Sequence, residues 1–409
     1  MLAGLALARV RSLEPDVDLA TWSQATWLVG NGHGTRLTIP VPAEHMADLH
    51  GALVMYPVAW VTRFLPIREA LVVVQAAALS FTVLPLWRLA RRVVNLRVGA
   101  AAALVLAYCA YPPLHQLNLA GFHPEALAVP ALVAMCYRGL SGSIVRFSTA
   151  ALVATACRAD FAILVASFGA LLVLGGRRRA GAAALVGGLG WTVAAIFVPW
   201  LGAGDEWLAE PGAFDRYGDS VAGVIGWFIT HPFDTIAATF GRPDVTVLAA
   251  LFLPLALLPF LSFRHLAPLV PLQLLYLVGE LSTDALLAEL AVPAIAFGLV
   301  ATAFGLGRSG RVTSGRVSVH PRVSAALLAT SVVFFLLDSP ASPYEHPWSW
   351  GSRDELDVAR LRLVDLVEDE EVVAATADFL PLVAARRSVC VMPRAEPCPD
   401  APQVYLLDT

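Results

Sequence analysis

The stretch that decides the fold runs from Arg138 to Arg179: RGLSGSIVRFSTAALVATACRADFAILVASFGALLVLGGRRR. It opens and closes on arginine, and its apolar interior is interrupted at one place, Arg158-Ala159-Asp160. Cytoplasmic loops of membrane proteins are enriched in Lys and Arg, so both ends belong on the same side. The chain between them therefore crosses twice or turns back. Each arm offers about 11–15 apolar residues, or roughly 16–23 Å of helix. A hydrocarbon core is about 30 Å thick. The arms fall short of it, so the tip with its Arg and Asp should lie below the far membrane surface. Ionisable groups at that depth must line a protein cavity or a water-filled groove.

Composition extends this reading to the whole chain. Of 409 residues, 57% are hydrophobic and 15% charged, with a mean hydropathy of +0.68. A soluble domain carries about 25% charged residues. The solvent of this chain is mostly lipid. The net charge of −4 comes with no basic domain and gives no footing for nucleic acid. Apolar segments at 68–87, 98–114, 125–137, 147–157, 161–175, 181–201, 245–262, 266–280, 290–306 and 323–337 make about ten membrane segments. The region 49–65 is apolar but holds His50, Pro57 and Arg63, and 223–240 mixes aromatic and polar residues. Both read as interfacial helices.

Every one of the 28 basic residues is Arg. Half of them fall in five loops: 88–97, 138–146, 177–179, a short turn at 264–265, and 307–322. The intervening loops 115–124, 202–222 and 281–289 contain only Arg216. The first set is expected in the cytoplasm and the second outside. The expected fold is an all-α polytopic transmembrane bundle over residues 1–337. A small extracytoplasmic α/β tail over 338–409 follows, with strands near 371–375, 388–392 and 403–408 and a helix near 378–385. Met1–Ala8 reads as the stub of a membrane helix, too short to cross about 30 Å, and the natural product is expected to begin upstream.

This topology gathers ionisable residues on the outer face. Asp18, His123, Glu125, Arg158, Asp160 and Arg216 are the candidates for a site. A base, a phosphate-binding cation and ligands for a divalent ion could be drawn from them. Solvated loops are polar without any chemistry, so structural roles stand beside these. Asp18 precedes a helix-compatible run and could be its N-cap. Pro124 and Glu125 suit a first helical turn. Arg158 and Asp160 could be a structural ion pair. Capping does not explain His123.

These residues carry a resemblance. Asp18-Leu19 with Gln24-Ala25 resembles the "DLGIFDQALW" segment of a large prokaryotic family of predicted polytopic membrane proteins, a domain of unknown function similar to GT-C-type glycosyltransferases. FHPEALAVPAL at 122–132 resembles its "FHPE" helix start, CRADFAILVASFG at 157–169 its "KED" segment, and the final QVYLLDT its "ADYVLLD". Arg158-Ala159-Asp160 keeps charge at two of the three KED positions, and Leu49-His50-Gly51-Ala52 departs from the family's "HFSP". The resemblance implies a GT-C-like fold and transfer of a sugar from a polyprenyl-phosphate donor at the outer face of the cell membrane. Asp18 would be the base, and Arg158 and Arg216 the phosphate-binding cations. His123, Glu125 and Asp160 would support them or hold a divalent metal ion. The alternatives are a transporter or flippase for lipid-linked or anionic substrates and a catalytically inactive scaffold. Transporters often contain internal repeats, and none is visible here.

Cys109, Cys136 and Cys157 lie in apolar runs, where they behave as small hydrophobes. Cys390 and Cys398 lie in the polar tail segment SVCVMPRAEPCPD, residues 388–400. An exported tail meets an oxidising environment in which disulfides persist. A strand returning through a turn that holds Pro393, Pro397 and Pro399 can bring two Cα atoms within the roughly 4.4–6.8 Å a bridge needs. The two thiols are otherwise incidental. Mass spectrometry of unreduced protein is expected to find the peptides of Cys390 and Cys398 linked, a bridge contributing about 2–3 kcal/mol. Free thiols at both positions would refute the pairing.

Overall fold

A computed structural model of the chain describes residues 1–39, 45–197, 213–218, 221–240, 245–279, 281–368, 370–393 and 400–408. The chain is mostly helical. The N-terminal part comprises α1 (Leu2–Arg11), α2 (Val17–Gly30), α3 (Met55–Thr62), α4 (Ile67–Phe81) and α5 (Val83–Arg88). Next come α6 (Val98–Cys109), α7 (Pro112–Leu119), α8 (Ala128–Ser141), α9 (Ile144–Cys157), α10 (Phe161–Leu174) and α11 (Arg178–Phe197). Beyond them lie α12 (Val221–Thr230), α13 (Pro232–Phe240), α14 (Val245–Phe252), α15 (Phe263–Leu266), α16 (Val270–Val278) and α17 (Thr283–Leu287). The last membrane helices are α18 (Val292–Ser309) and α19 (Pro321–Asp338), joined by the hairpin β1 (Arg311–Thr313) and β2 (Arg316–Ser318).

Five helical runs among the described residues are long and apolar enough to cross a membrane: Ile67–Arg92, Arg178–Phe197, Leu258–Val278, Glu289–Ser309 and Pro321–Ser349. The pair α6–α7 makes a sixth if its 40° bend is one broken span. The bend falls at Pro112-Pro113, which bias the preceding Tyr111 away from helix. The other apolar segments are shorter. The helices α9 and α10 hold 14 residues each, roughly 21 Å, and form the short-armed hairpin expected around Arg158.

The expected single segment 245–262 is not formed. The helix breaks at Ala256 and Leu257, both with φ of 54°. Pro254 and Pro259 flank that break and interrupt helical hydrogen bonding. The Pro254 carbonyl accepts instead from Thr330 Oγ1 (3.1 Å) and Ser331 Oγ (2.8 Å) of α19. Arg264 lies in the short helix α15, directly after the non-helical backbone of Ser262 and within the run Leu258–Val278.

Small residues set the packing, as they do where helices meet in lipid. The helix α18 is the axis of the bundle, almost wholly buried. A Cβ at Gly305 would stand 2.3 Å from the Leu258 carbonyl oxygen, so only glycine lets these backbones meet. Gly169, Gly181 and Gly188 do the same between α10 and α11. Trp60 of the short helix α3 and Phe64 just beyond it are 73% and 83% exposed, which fits an interfacial position.

The arginine-rich loops converge on one face. Arg316 donates to the Arg91 carbonyl at 2.6 Å, and Arg97 N–H to that of Val317 at 3.0 Å. Arg308 reaches the Leu261 carbonyl at 2.5 Å. The Arg264 guanidinium lies against Gly175, and Arg177 donates to the Gly139 carbonyl at 3.0 Å. At the other end Asn118 donates to Leu2 O (3.2 Å), and Gly351 N–H donates to Ser12 Oγ (2.9 Å).

Beyond residue 338 lie α20 (Glu355–Val364), β3 (Val373–Thr376), α21 (Leu380–Val383), β4 (Val389–Met392) and β5 (Val404–Leu406). The strands make a parallel sheet of order β4-β3-β5. Its core includes Val373, Phe379, Leu380 and Val389, but also Ala20 of α2 and Ile39. Thr38 Oγ1 accepts from Val389 N–H at 2.9 Å. Cys390 is disulfide-bonded; its expected partner Cys398 lies outside the described residues, as does most of the loop 202–222. Labelling of single cysteines at Arg92 and Asp284, both exposed, is expected to place them on opposite sides of the membrane. Reaction of both from the same side would refute this topology.

Candidate functional site

The site is built on a polar residue where the sequence is otherwise apolar. Gln75 stands in the middle of α4, where a polar side chain in a span calls for partners. Its amide donates to the carbonyls of Leu117 (3.0 Å) and Gly121 (2.8 Å), and its oxygen accepts from His123 N–H (2.8 Å). One side chain thus fixes the turn that delivers FHPE. Gly121 has φ of +108°, and a Cβ there would lie 2.7 Å from Asp16 Oδ2. No other residue could hold this backbone so close to a carboxylate.

Asp16, and not Asp18, caps α2: its Oδ1 accepts from Leu19 N–H at 2.8 Å. Both aspartates precede the same helical run, and the helix simply starts two residues earlier than the sequence suggests. Asp18 is thereby released from capping and stands exposed in the first turn. A cleft of about 380 Å³ opens here, lined by Asp16, Asp18, Arg9, Arg68, Gly121 and, from the C-terminal region, Pro381. Arg68 holds its place by donating to the Val10 carbonyl at 3.1 Å. Arg9 pairs with Glu14 at 2.5 Å and covers the Trp350 ring at 5.5 Å. Burial pushes the Asp16 carboxyl up to about 6, against the pull of Leu19 N–H, and the neighbouring charge of Asp18 adds to the rise.

His123 stands between this cleft and a deeper layer. Burial disfavours its protonated form, but Glu289, Asp18 and Glu125 outweigh burial and raise its pKa above the ordinary value. Its Nδ1 lies 3.9 Å from Glu289 Oε2, and its Nε2 lies 3.1 Å from the Ala120 carbonyl. In the deeper layer Arg158 Nη1 meets Glu125 Oε1 at 3.0 Å and Arg158 Nε meets Asp160 Oδ2 at 3.0 Å. Tyr276 donates to the same Asp160 oxygen at 2.7 Å. The side chains of Arg158, Glu125 and Asp160 are 1%, 4% and 0% exposed. Of the two surroundings expected for the hairpin tip, a protein cavity or a water-filled groove, these values give the first: the tip is enclosed by protein. The backbone beside His50 lies along it, Ala159 N–H donating to the His50 carbonyl at 2.9 Å.

The expected residues thus divide. Asp18 lines the cleft, His123 backs it, and Glu125, Arg158 and Asp160 form a sealed ionic layer. Arg158 faces carboxylates in this arrangement. Arg216 is exposed on the turn 213–218, its guanidinium 6.0 Å from the Tyr217 ring. Among the described residues no group of three or more His, Cys, Asp or Glu is placed to hold a metal ion. The carboxylates proposed as ligands, Glu125 and Asp160, are already engaged by Arg158. Sequence reasoning passed over Arg68, Gln75, Gly121 and Tyr276. Gln75 and Tyr276 left a signal, a polar group inside an apolar run; Gly121 left none beyond preceding FHPE.

A family model described as predicted membrane protein (DUF2079) matches residues 9–408. No curated protein matches the chain.

Removing a partner from a buried ion pair typically costs about 3–5 kcal/mol, because an unpaired charge is left behind. Arg158→Met is therefore expected to lower the unfolding temperature in detergent sharply. Adding Glu125→Gln and Asp160→Asn to it should restore part of the loss. A single variant as stable as the parent would contradict the ionic layer.

Proposed function

The chain belongs to the DUF2079 family of predicted membrane proteins, and we propose that it is a glycosyltransferase of the GT-C type acting at the cleft around Asp18. The observation that carries the reading is the make-up of that cleft. Three carboxylates, Glu14, Asp16 and Asp18, and two guanidiniums, Arg9 (paired with Glu14) and Arg68, line it beside an apolar wall of Ala6, Val10, Val72 and Leu119. A polyprenyl-phosphate sugar needs the same three things: cations for the phosphate, an apolar surface for the chain, and a base for the acceptor.

Asp18 is in the first turn of α2, where its negative charge complements the helix dipole. In the proposed step its carboxylate takes the proton of an acceptor hydroxyl. The acceptor oxygen bonds to the anomeric carbon as the bond from that carbon to the phosphate oxygen breaks. The electron pair leaves with the polyprenyl phosphate, whose charge Arg9 and Arg68 stabilise through charge-assisted hydrogen bonds. Asp16 holds the start of α2, and Gln75 and Gly121 hold the opposite lip. The ionic layer around Arg158 fixes both from below and takes no part in the transfer. The face away from the arginine loops, where the cleft opens, is outside by the positive-inside rule.

Membranes carrying the protein are to be incubated with a panel of radiolabelled polyprenyl-phosphate sugars. Transfer is expected from one donor. Asp18→Asn should lower the rate by about 10²–10⁴, the usual weight of a general base, and Arg68→Gln should weaken donor use. Transfer unaffected by Asp18→Asn would remove the assigned base. Movement of an intact lipid-linked sugar across the membrane without transfer would replace the enzyme by a flippase. Neither transfer nor movement with any donor would leave a scaffold.

A further inference from the structure

A second cavity lies at the opposite end of the bundle, between the loop joining α8 to α9 and the loop joining α10 to α11. It measures about 350 Å³ and is lined by Arg138, Arg177, Arg178 and Arg179. Among the described residues no carboxylate lines it. Arg177 is braced by its bond to the Gly139 carbonyl, and Gly142, with φ of +90°, leaves the space beside that guanidinium open. Four cations with no carboxylate among the described lining residues call for an anionic ligand.

The surface that continues from this cavity into the membrane narrows the ligand's class. Phe147 lines this cavity and also a second, apolar one of about 220 Å³. The apolar one continues between α9 and α11 past Ala151, Leu152, Ala184, Gly187 and Trp191. From Ala180 to Trp191 the groove follows α11 for roughly 17 Å. That is close to one leaflet, half of a hydrocarbon core about 30 Å thick. The Trp191 indole N–H at its end meets no acceptor among the described residues. Leu152 is 63% exposed, so the groove opens toward the bilayer.

We propose that α9 and α11 bind one anionic glycerophospholipid of the arginine-side leaflet, its phosphate among Arg138 and Arg177–Arg179 and one acyl chain in the apolar groove. Basic pockets between membrane helices favour such headgroups. The site is separate from the Asp18 cleft and does not depend on its chemistry.

The test uses full-length protein reconstituted into nanodiscs of equal parts phosphatidylglycerol and phosphatidylcholine. Lipid retained after transfer to detergent is read by native mass spectrometry. The protein is expected to retain phosphatidylglycerol in preference. Arg178→Gln with Arg179→Gln, which spares the Arg177 bond, should cut that retention roughly tenfold or more, and the corresponding double lysine variant should keep it. Gly187→Leu, which places a side chain where a Cβ meets nothing within 4 Å, should also lower retention. Soluble glycerol phosphate should not compete. Equal retention of both lipids, or retention unchanged in both the glutamine and Gly187→Leu variants, would overturn the proposal. Displacement of the lipid by an equal concentration of glycerol phosphate would also overturn it, giving the pocket to a free phosphate.

Discussion

A guanidinium enclosed by a protein that is itself enclosed by lipid has no water to fall back on. Its charge must be met by carboxylates held in place by covalent structure. Arg158 is in that position, and much of the molecule is arranged around it. Glu125 comes from the turn that starts α8, Asp160 from the start of α10, and Tyr276 from α16. Three regions far apart in sequence are tied at one depth. The hairpin α9–α10 cannot reach the far surface because its arms are too short, and the charge at its tip is met where it stands, by Glu125 and Asp160. Two residues from Glu125, His123 is held by the same fixed turn, and its ring is where the sealed layer meets the open cleft.

Above that layer the helix α2 has two partners at once. Leu19, Trp22, Ala25 and Leu28 pack into the membrane bundle, while Ala20 belongs to the core of the parallel sheet near the C-terminus. Gln24 works on the second side, accepting from Thr38 and Ile39 N–H at 2.9 and 3.0 Å and donating to Thr38 Oγ1 at 2.7 Å. A helix clamped on two faces presents its first turn rigidly, and Asp18 is in that turn. If Asp18 acts as the proposed base, that rigidity matters, because small displacements from reactive geometry cost rate steeply.

Membrane residence, the arginine-rich face and the short-armed hairpin were legible in the sequence, because each depends on where charge interrupts an apolar run. The charges of Asp18, His123, Glu125, Arg158 and Asp160 were legible for the same reason. Their division into an open layer and a sealed one was not. Burial in protein and burial in lipid look alike in composition, since lipid tails are as apolar as leucine. The sequence of α18 therefore reads as another span, although it is the axis of the bundle. The break at Ala256–Leu257 was hidden for a different reason: Pro254 and Pro259 mark it, but proline is tolerated inside membrane helices, so the mark does not decide. The cap of α2 was missed because Asp16 and Asp18 stand in the same short run, and only the backbone angles of Asp16 separate them.

The shared core of α2 and the sheet has a consequence in time. Ala20 and Ile39 leave the ribosome long before Val373, Leu380 and Val389, with which they pack. At about 5–20 residues per second the interval is on the order of tens of seconds. Throughout it the outer side of α2 is without its partner, and the cleft lacks the wall that Pro381 supplies. A segment far downstream therefore completes a pocket whose other walls are made long before it, and a nascent chain acquires that pocket only after Pro381 has emerged.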